Sequence, residues 1–324
     1  MIYQDGVYGI VEINEPVILD LMGSAPLCRL ESINQYGAIC YRLPQFSTTR
    51  FQHSVGTCLL LKKLGASLEE QISGLLHDIS HMAFSHVVDA VFDREISDDF
   101  HHRFYKDMLV RTDISRILKK HGFKPEQFFD QEKFSLSECP IPDPCADRLD
   151  YAMRDFLIYR IADHDEVQQM LANMTVRNNK IVFLKRNIAK KFGFLFFKIA
   201  DLYGGPLNST CIRLLADAIK IALEKKILSK KDLTLVDEEV YEKLLQSGDK
   251  SILSKLDLLK RVEVEENNQE YDYFLQTKIR VVDPFVYERK RLVRLSEVDK
   301  EFDQAYKEFF SRRSQGVYVK IINK

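Results

Sequence analysis

Six of the eight histidines in this chain, His53, His77, His81, His86, His101 and His102, fall within residues 53–102, where an even spread would place one or two. Imidazoles and carboxylates are good ligands for borderline divalent metals, and His77-Asp78 sets one of each side by side. A lone dipeptide of this kind means little. Its surroundings give it weight: RFQHS at 50–54, HDISHMAFSH at 77–86, the pair at 101–102, and DRLDYAMRD at 147–155. His53, His77, Asp78 and Asp147 could converge as two neutral nitrogens and two carboxylates, a net-neutral site for a divalent ion with positions left for water and a phosphate oxygen. That is a hydrolytic arrangement, in which the ion acidifies water and polarises a phosphoryl group while the remaining histidines move protons. Mn, Fe, Mg, Zn, Ni and Co all stay open as the ion.

Helices must carry most of these groups. Ser67-Leu68-Glu69-Glu70 reads as a capping box that opens a helix through Ile72, Leu75 and Leu76 and ends it near His77, so His77 and Asp78 fall at a helix C-terminus. Residues 135–147, with three prolines and two cysteines, form a connector into a helix over 146–158. On that helix Asp147, Arg148, Tyr151, Arg154 and Asp155 share an arc of roughly 120°, and Leu149, Ala152, Met153, Phe156 and Leu157 take the opposite side. Solvent alone would explain such a charged face. Elsewhere DGVYGIVEI at 5–13 suits a short hairpin, KIVFL at 180–184 a strand, and 190–203, 209–226, 238–246 and 252–260 helices. Residues 271–282 and 316–322 favour β structure, with a helix near 299–310 between them. The expected architecture is mainly α: a helical body over 1–230 and a smaller mixed α/β part over 231–324.

Bulk composition narrows the function further. The 324 residues carry 47 Lys+Arg against 48 Asp+Glu, a net charge of -1. Neither nucleic acid nor an anionic membrane is therefore favoured as the main partner. The N-terminal MIYQDGVYGIVEINE lacks a basic region, and the longest wholly apolar run, near 192–197, is far short of the roughly 18–20 residues of a membrane span. A soluble, non-secreted protein, cytoplasmic or nuclear, is expected, with its six unpatterned cysteines reduced.

The ordered set RFxHS, HDxxHxxFSHxxD, H and DRxDYxxRD resembles the HD-domain metal phosphohydrolases. The branch it resembles most contains the deoxynucleoside triphosphate triphosphohydrolases and the vertebrate SAM-and-HD-domain enzyme, here without a SAM domain. DGVYG, the run at 18–22 and INQYG at 33–37 extend the likeness upstream, and VDEEVYEKLLQSGD at 236–249 and KIRVVDP at 278–284 extend it downstream, so that it covers most of the chain. The resemblance implies an HD-domain helical bundle with a short N-terminal β-hairpin. It implies His53, His77, Asp78 and Asp147 as metal ligands. His81 and His86 would lie near the scissile phosphate, and Asp89 would orient His101 as an acid/base pair. Arg50 and Arg148 would face phosphate, Tyr151, Asp155 and Tyr203 the sugar, and Gln35 the nucleotide. A nucleotide substrate, and homo-oligomers by analogy with the branch, follow from the same likeness.

Departures from the family pattern qualify the substrate. His102 stands where the family usually has Glu. Leu195 takes the place of an Arg on the helix over the triphosphate, Gly204-Gly205-Pro206 follow Tyr203, and Tyr36 replaces a Leu beside the sugar. Each charge-assisted hydrogen bond is worth about 1.5–3 kcal/mol, so losing one or two weakens triphosphate binding about tenfold or more. Lys185, Arg186, Lys190, Lys191 and Lys198 are candidates to compensate. The leading expectation is dNTP hydrolysis to deoxynucleoside and triphosphate. Its alternatives are hydrolysis of another phosphoester, such as a nucleoside monophosphate or an oligonucleotide, and a nucleotide-binding protein with little turnover.

Overall fold

Asp5 accepts hydrogen bonds from the backbone N–H groups of Val7 and Tyr8 at 2.7 and 3.1 Å, and this Asx turn starts the fold. It joins β1 (Ile2–Asp5) to β2 (Gly9–Glu12) in an antiparallel hairpin. The hairpin expected over 5–13 thus begins earlier, because Asp5 ends the first strand and residues 6–8 make the turn. The computed structural model describes residues 1–92, 102–276, 278–288 and 291–323.

After α1 (Pro16–Met22) and α2 (Ala25–Arg29) come the helices that frame the site: α3 (Arg50–Lys63), α4 (Leu68–Leu76) and the short α5 (Val87–Val91). Thr49 and Gln52 form a reciprocal capping box at the start of α3. That cap fixes Arg50 and His53 on the first turn. At α4, Ser67 Oγ accepts from the Glu70 N–H at 3.2 Å, but Glu70 does not return the bond. Its carboxylate accepts from Leu136 N at 2.8 Å, so the expected box is half a box and the other half holds the connector.

Beyond α6 (His102–Arg111) and α7 (Asp113–Lys120), α8 spans Ala146–Ile158, as its periodicity predicts. It packs against α3, and the Leu149, Ala152, Met153 and Phe156 side is fully buried. Next come α9 (His164–Ala172), the antiparallel pair β3 (Met174–Arg177) and β4 (Lys180–Phe183), then α10 (Arg186–Tyr203) and α11 (Pro206–Glu224). Gly204 and Gly205 divide α10 from α11, with Pro206 at the first position of the new helix, where its missing N–H costs nothing. α12 (Asp237–Gln246) and α13 (Lys250–Arg261) lie beside α11.

The last part alternates: β5 (Val264–Glu266), β6 (Tyr273–Leu275), β7 (Phe285–Glu288), β8 (Arg291–Arg294), α14 (Leu295–Val298), α15 (Lys300–Ser314) and β9 (Val317–Ile321). β9 is the middle of a three-stranded sheet ordered β5-β9-β6, and β7 pairs in parallel with β4 in a sheet ordered β3-β4-β7-β8. Of the β structure expected at 271–282, Tyr273–Leu275 forms a strand. Residues 278–282 instead run without a strand partner, with Val281 and Val282 buried in the core while Lys278 and Arg280 line a cavity. Phe302 from α15 fills the space left by Gly193, where a Cβ would come within 2.4 Å of its ring, so the C-terminal part packs into the helical body. Among the described residues no helix is long and apolar enough to cross a membrane.

Candidate active site

A cavity of about 480 Å³ opens between α3, α5, α8 and α11, and its floor holds His53, His77 and Asp147. One ligand atom from each of the three lies within 4.8 Å of the others. Backbone geometry puts them there. His53 sits on the first turn of α3, His77 caps the C-terminus of α4, and Asp147 is the second residue of α8. His77 Nδ1 lies 2.7 Å from the Gly74 carbonyl, so it donates to one of the free acceptors at the end of α4. His53 Nδ1 lies 2.7 Å from Asp150 Oδ2 and donates to it. Both imidazoles are thereby set to present Nε2 as the acceptor, and these Nε2 atoms are 3.2 Å apart. Asp147 Oδ1 is 2.9 Å from His53 Nε2 and 3.6 Å from His77 Nε2.

Two imidazole nitrogens and a carboxylate oxygen suit a borderline divalent ion. The electrostatics agree with positive charge at this point. Burial opposes a charged imidazole, but Asp147 and Asp150 raise His53, and Asp78 with Asp147 raise His77 to about 10. Asp147 is itself lowered, its burial outweighed by His53 and His77. Asp78, the fourth expected ligand, stands beside the trio with Oδ1 3.4 Å from His77 Nε2, while its Oδ2 is held by Arg50 Nη1 at 2.6 Å.

Behind His53 lies a buried network that the sequence reading did not identify. Asp150 accepts from Arg154 Nε at 2.8 Å and from the Tyr8 hydroxyl at 2.8 Å, and Arg154 Nη2 reaches Asp5 at 2.8 Å. It fits only because residue 56 is glycine: a Cβ there would stand 1.9 Å from Arg154 Nη2 and 2.1 Å from Asp150 Oδ1. Arg154 therefore leaves the polar face expected for α8 and anchors the N-terminal hairpin. The remaining members, Asp147, Arg148, Tyr151 and Asp155, line the cavity.

Around the trio, Arg50 also donates from Nε to Ser85 Oγ at 2.8 Å. His81 Nε2 lies 3.2 Å from Asp78 Oδ1, and burial followed by the Arg50 charge pushes its pKa down to about 3, so it is neutral. The His86 ring meets His81 edge-on at 5.2 Å, and its Nδ1 lies 3.2 Å from Asp89. Asp89 thus faces His86, and the His101 expected beside it lies outside the described residues. Arg148 spends Nη1 and Nη2 on the carbonyls of Asp143 and Cys139, both at 2.5 Å, which ties down the connector. Tyr36 and Tyr203 donate their hydroxyls to the two oxygens of Asp155, and burial lifts that carboxyl to about 7. Tyr151 stands between the two groups, 6.3 Å from His53 and 5.9 Å from Tyr203 between ring centres. Gln35 lines the cavity with Oε1 buried and without a partner among the described residues.

Leu195 is buried in the core, and of the five cations expected to compensate for it none lines the cavity; three are engaged elsewhere, Arg186 with Glu288, Lys190 with Asp299 and Glu301, Lys191 with Glu166. Besides Arg50 and Arg148, the cavity draws positive charge from Arg213 and Lys220 on α11 and from Lys278 and Arg280. Seven-residue spacing on α11 was a signal for the first pair. For the second, which comes from an irregular segment, the signal was the KIRVVDP likeness at 278–284 and no spacing.

An HD-domain family model matches residues 50–154, the stretch that supplies all three donors and Arg50. The chain belongs to the HD-domain phosphohydrolase family. It is 36% identical to YdhJ of Bacillus subtilis over 321 residues, 98% of either protein. To the metal-dependent phosphohydrolase cns2 of Cordyceps militaris it is 36% identical over 174 residues, 54% of this chain and 50% of that one. The deoxynucleoside triphosphate triphosphohydrolase SAMHD1 of Bos taurus aligns at 26% identity over 44% of this chain and 28% of its own length. The solved structure of a phosphohydrolase from Bacteroides thetaiotaomicron superposes over the whole of both chains, with a TM-score of 0.73 at 16% identity, which establishes the shared fold.

Proposed function

We propose that the protein hydrolyses a deoxynucleoside triphosphate to deoxynucleoside and intact triphosphate at a divalent metal centre held by His53, His77, Asp78 and Asp147. The observation that carries this reading is the composition of one cavity. The donor trio, its two imidazoles oriented by hydrogen bonds, shares it with an aromatic and carboxyl wall of Tyr36, Tyr203 and Asp155 and with six cationic side chains, a combination that suits a substrate with phosphates at one end and a sugar at the other. The likeness to SAMHD1 supports the same substrate class. A bound divalent ion would supply Lewis acidity toward a phosphate oxygen and acidify water.

The chain's own residues do the rest. Arg50 holds Asp78 in place and turns the edge of its guanidinium to the phosphate. His81, kept neutral, presents its ring beside Asp78 without adding charge to the site, and His86 on Asp89 carries a proton to the leaving 5′-oxygen. Asp155, with its two tyrosine hydroxyls, and Gln35 hold the nucleoside. Arg213, Lys220, Lys278 and Arg280 receive the departing triphosphate.

A second reading, hydrolysis of a smaller phosphoester or of an oligonucleotide, is favoured by Leu195, a core residue where the family resemblance implies an Arg. Incubating the purified protein with Mn²⁺ and a panel of dNTPs, NTPs, monophosphates and short DNA, then resolving the products by ion exchange, separates the two. Deoxynucleoside plus intact triphosphate supports the first reading. Orthophosphate or shortened oligonucleotides without that product would replace it with the second.

A further inference from the structure

Two irregular segments meet in the wall of the cavity. Residues 34–37 bring Gln35 and Tyr36, and residues 79–86 bring His81 and His86. The second segment carries two consecutive non-glycine residues in the left-handed region, Phe84 at φ 63° and Ser85 at φ 53°. Such a pair persists only where its surroundings over-determine it.

The surroundings include one buried carboxylate from far along the chain. Asp237, the first residue of α12, accepts from Phe84 N at 2.6 Å through Oδ1 and from Asn34 N at 2.8 Å through Oδ2. Further contacts tighten the junction. Ser85 Oγ donates to the Asn34 carbonyl at 2.6 Å, and Ala83 N donates to the Leu233 carbonyl at 3.0 Å. Arg29 donates from Nη2 to the carbonyls of Ile79 and His81 at 3.2 and 2.5 Å, and from Nη1 to Thr234 O at 3.4 Å. Gly37, at φ +59°, lies so close that a Cβ would meet the Phe84 carbonyl oxygen at 2.6 Å.

We propose that Asp237 is a positioning residue that sets the spacing between the nucleoside-side segment 34–37 and the histidine segment 79–86. It acts through the backbone of Asn34 and Phe84 and touches neither reacting group. This inference rests on the reading of the cavity as a site of nucleotide hydrolysis. It also places part of the machinery outside the matched residues 50–154, because Arg29 and residues 233–237 complete the junction.

Asp237→Asn preserves shape but sets an amide N–H₂ against one of two backbone N–H donors. Hydrogen–deuterium exchange should then quicken at residues 33–37 and 79–87, while metal content stays that of the unaltered protein. Displacing catalytic groups by ångström-scale amounts costs up to roughly 100-fold in rate, so kcat should fall about 10- to 100-fold, with KM changing by less than about threefold. Unchanged exchange and unchanged kcat, even with a lower melting temperature, would make Asp237 merely structural and overturn the proposal. The exchange arm needs no turnover. Failure of the unaltered protein to hydrolyse nucleotides would therefore count against the functional reading, whereas unchanged exchange in the variant counts against the junction. Should Asp237→Asn not accumulate folded, Arg29→Lys replaces the guanidinium that spans the Ile79, His81 and Thr234 carbonyls of the same junction by a single ammonium. It should quicken exchange at 79–81 and lower kcat, and no change in either would overturn the proposal.

Discussion

The two ends of the cavity are built differently. At the donor end the side chains are held by named partners: His53 is backed by Asp150, His77 by the Gly74 carbonyl, and Asp78 by Arg50. These groups come from helix termini and are buried almost completely. At the cationic end Arg213 and Lys278 are exposed, and Lys278 and Arg280 come from a segment without regular structure. The difference teaches a division of labour. A metal centre needs donors fixed to a fraction of an ångström, so it is built on helix ends with supporting hydrogen bonds. Charge toward a flexible phosphate tail needs little more than proximity, and any nearby segment can supply it.

Breaking the donor end should have the largest effect. Asp147→Ala removes one of the four proposed ligands and should reduce metal-dependent hydrolysis to background, measured with metal content on the same sample. Asp150→Asn comes next. It leaves the ligands in place but loosens His53, and outer supports of this kind are worth roughly 10- to 100-fold in metal affinity or activity. Titration with Mn²⁺ followed by turnover measurements reads this directly.

The cationic end should respond more mildly and in a different parameter. Arg280→Ala should raise KM for the triphosphate about tenfold with little change in kcat, the size of one charge-assisted contact. Lys191→Ala, which removes an exposed pair with Glu166 outside the cavity, should leave KM within about twofold. Equal effects of the two substitutions would erase the distinction drawn here between cavity cations and surface cations.

Asp155 links the ends and gives the smallest, pH-dependent effect. Burial raises its carboxyl to about 7, above an unfolded value of about 3.9, so the folded chain binds the extra proton between these limits. Its contribution to stability is present at low pH and is lost as pH rises from about 4 to 7. Asp155→Asn should flatten that slope relative to the unaltered protein in denaturant titrations at pH 4.5, 5.5 and 6.5, and an unchanged slope would contradict the assignment.

The donor end was also the more legible in sequence. α8 was readable to its last residue because a 13-residue amphipathic period admits one solution. His77 at a helix end followed from the Ser67 start signal. What escaped was the choice of long-range partner. Nothing local says that Asp150 turns to His53, that Glu70 holds Leu136 N, or that Asp237 bridges residues 34 and 84. The 271–282 stretch had the residues of a strand, but pairing is settled by neighbours, and Tyr273–Leu275 alone found one in β9. Leu195 packs into the core, while Lys278 and Arg280 came from an irregular segment whose position no spacing rule gives.

The most direct test of the metal centre is a metal-replacement measurement on the full chain. Protein stripped with chelator should lose hydrolysis and regain it in proportion to added Mn²⁺, saturating at a single ion per chain by elemental analysis, while Asp147→Ala treated alike should neither hold the ion nor recover activity. Full hydrolysis by the stripped protein, or recovery in Asp147→Ala with the same stoichiometry, would show that His53, His77 and Asp147 are not the centre on which turnover depends.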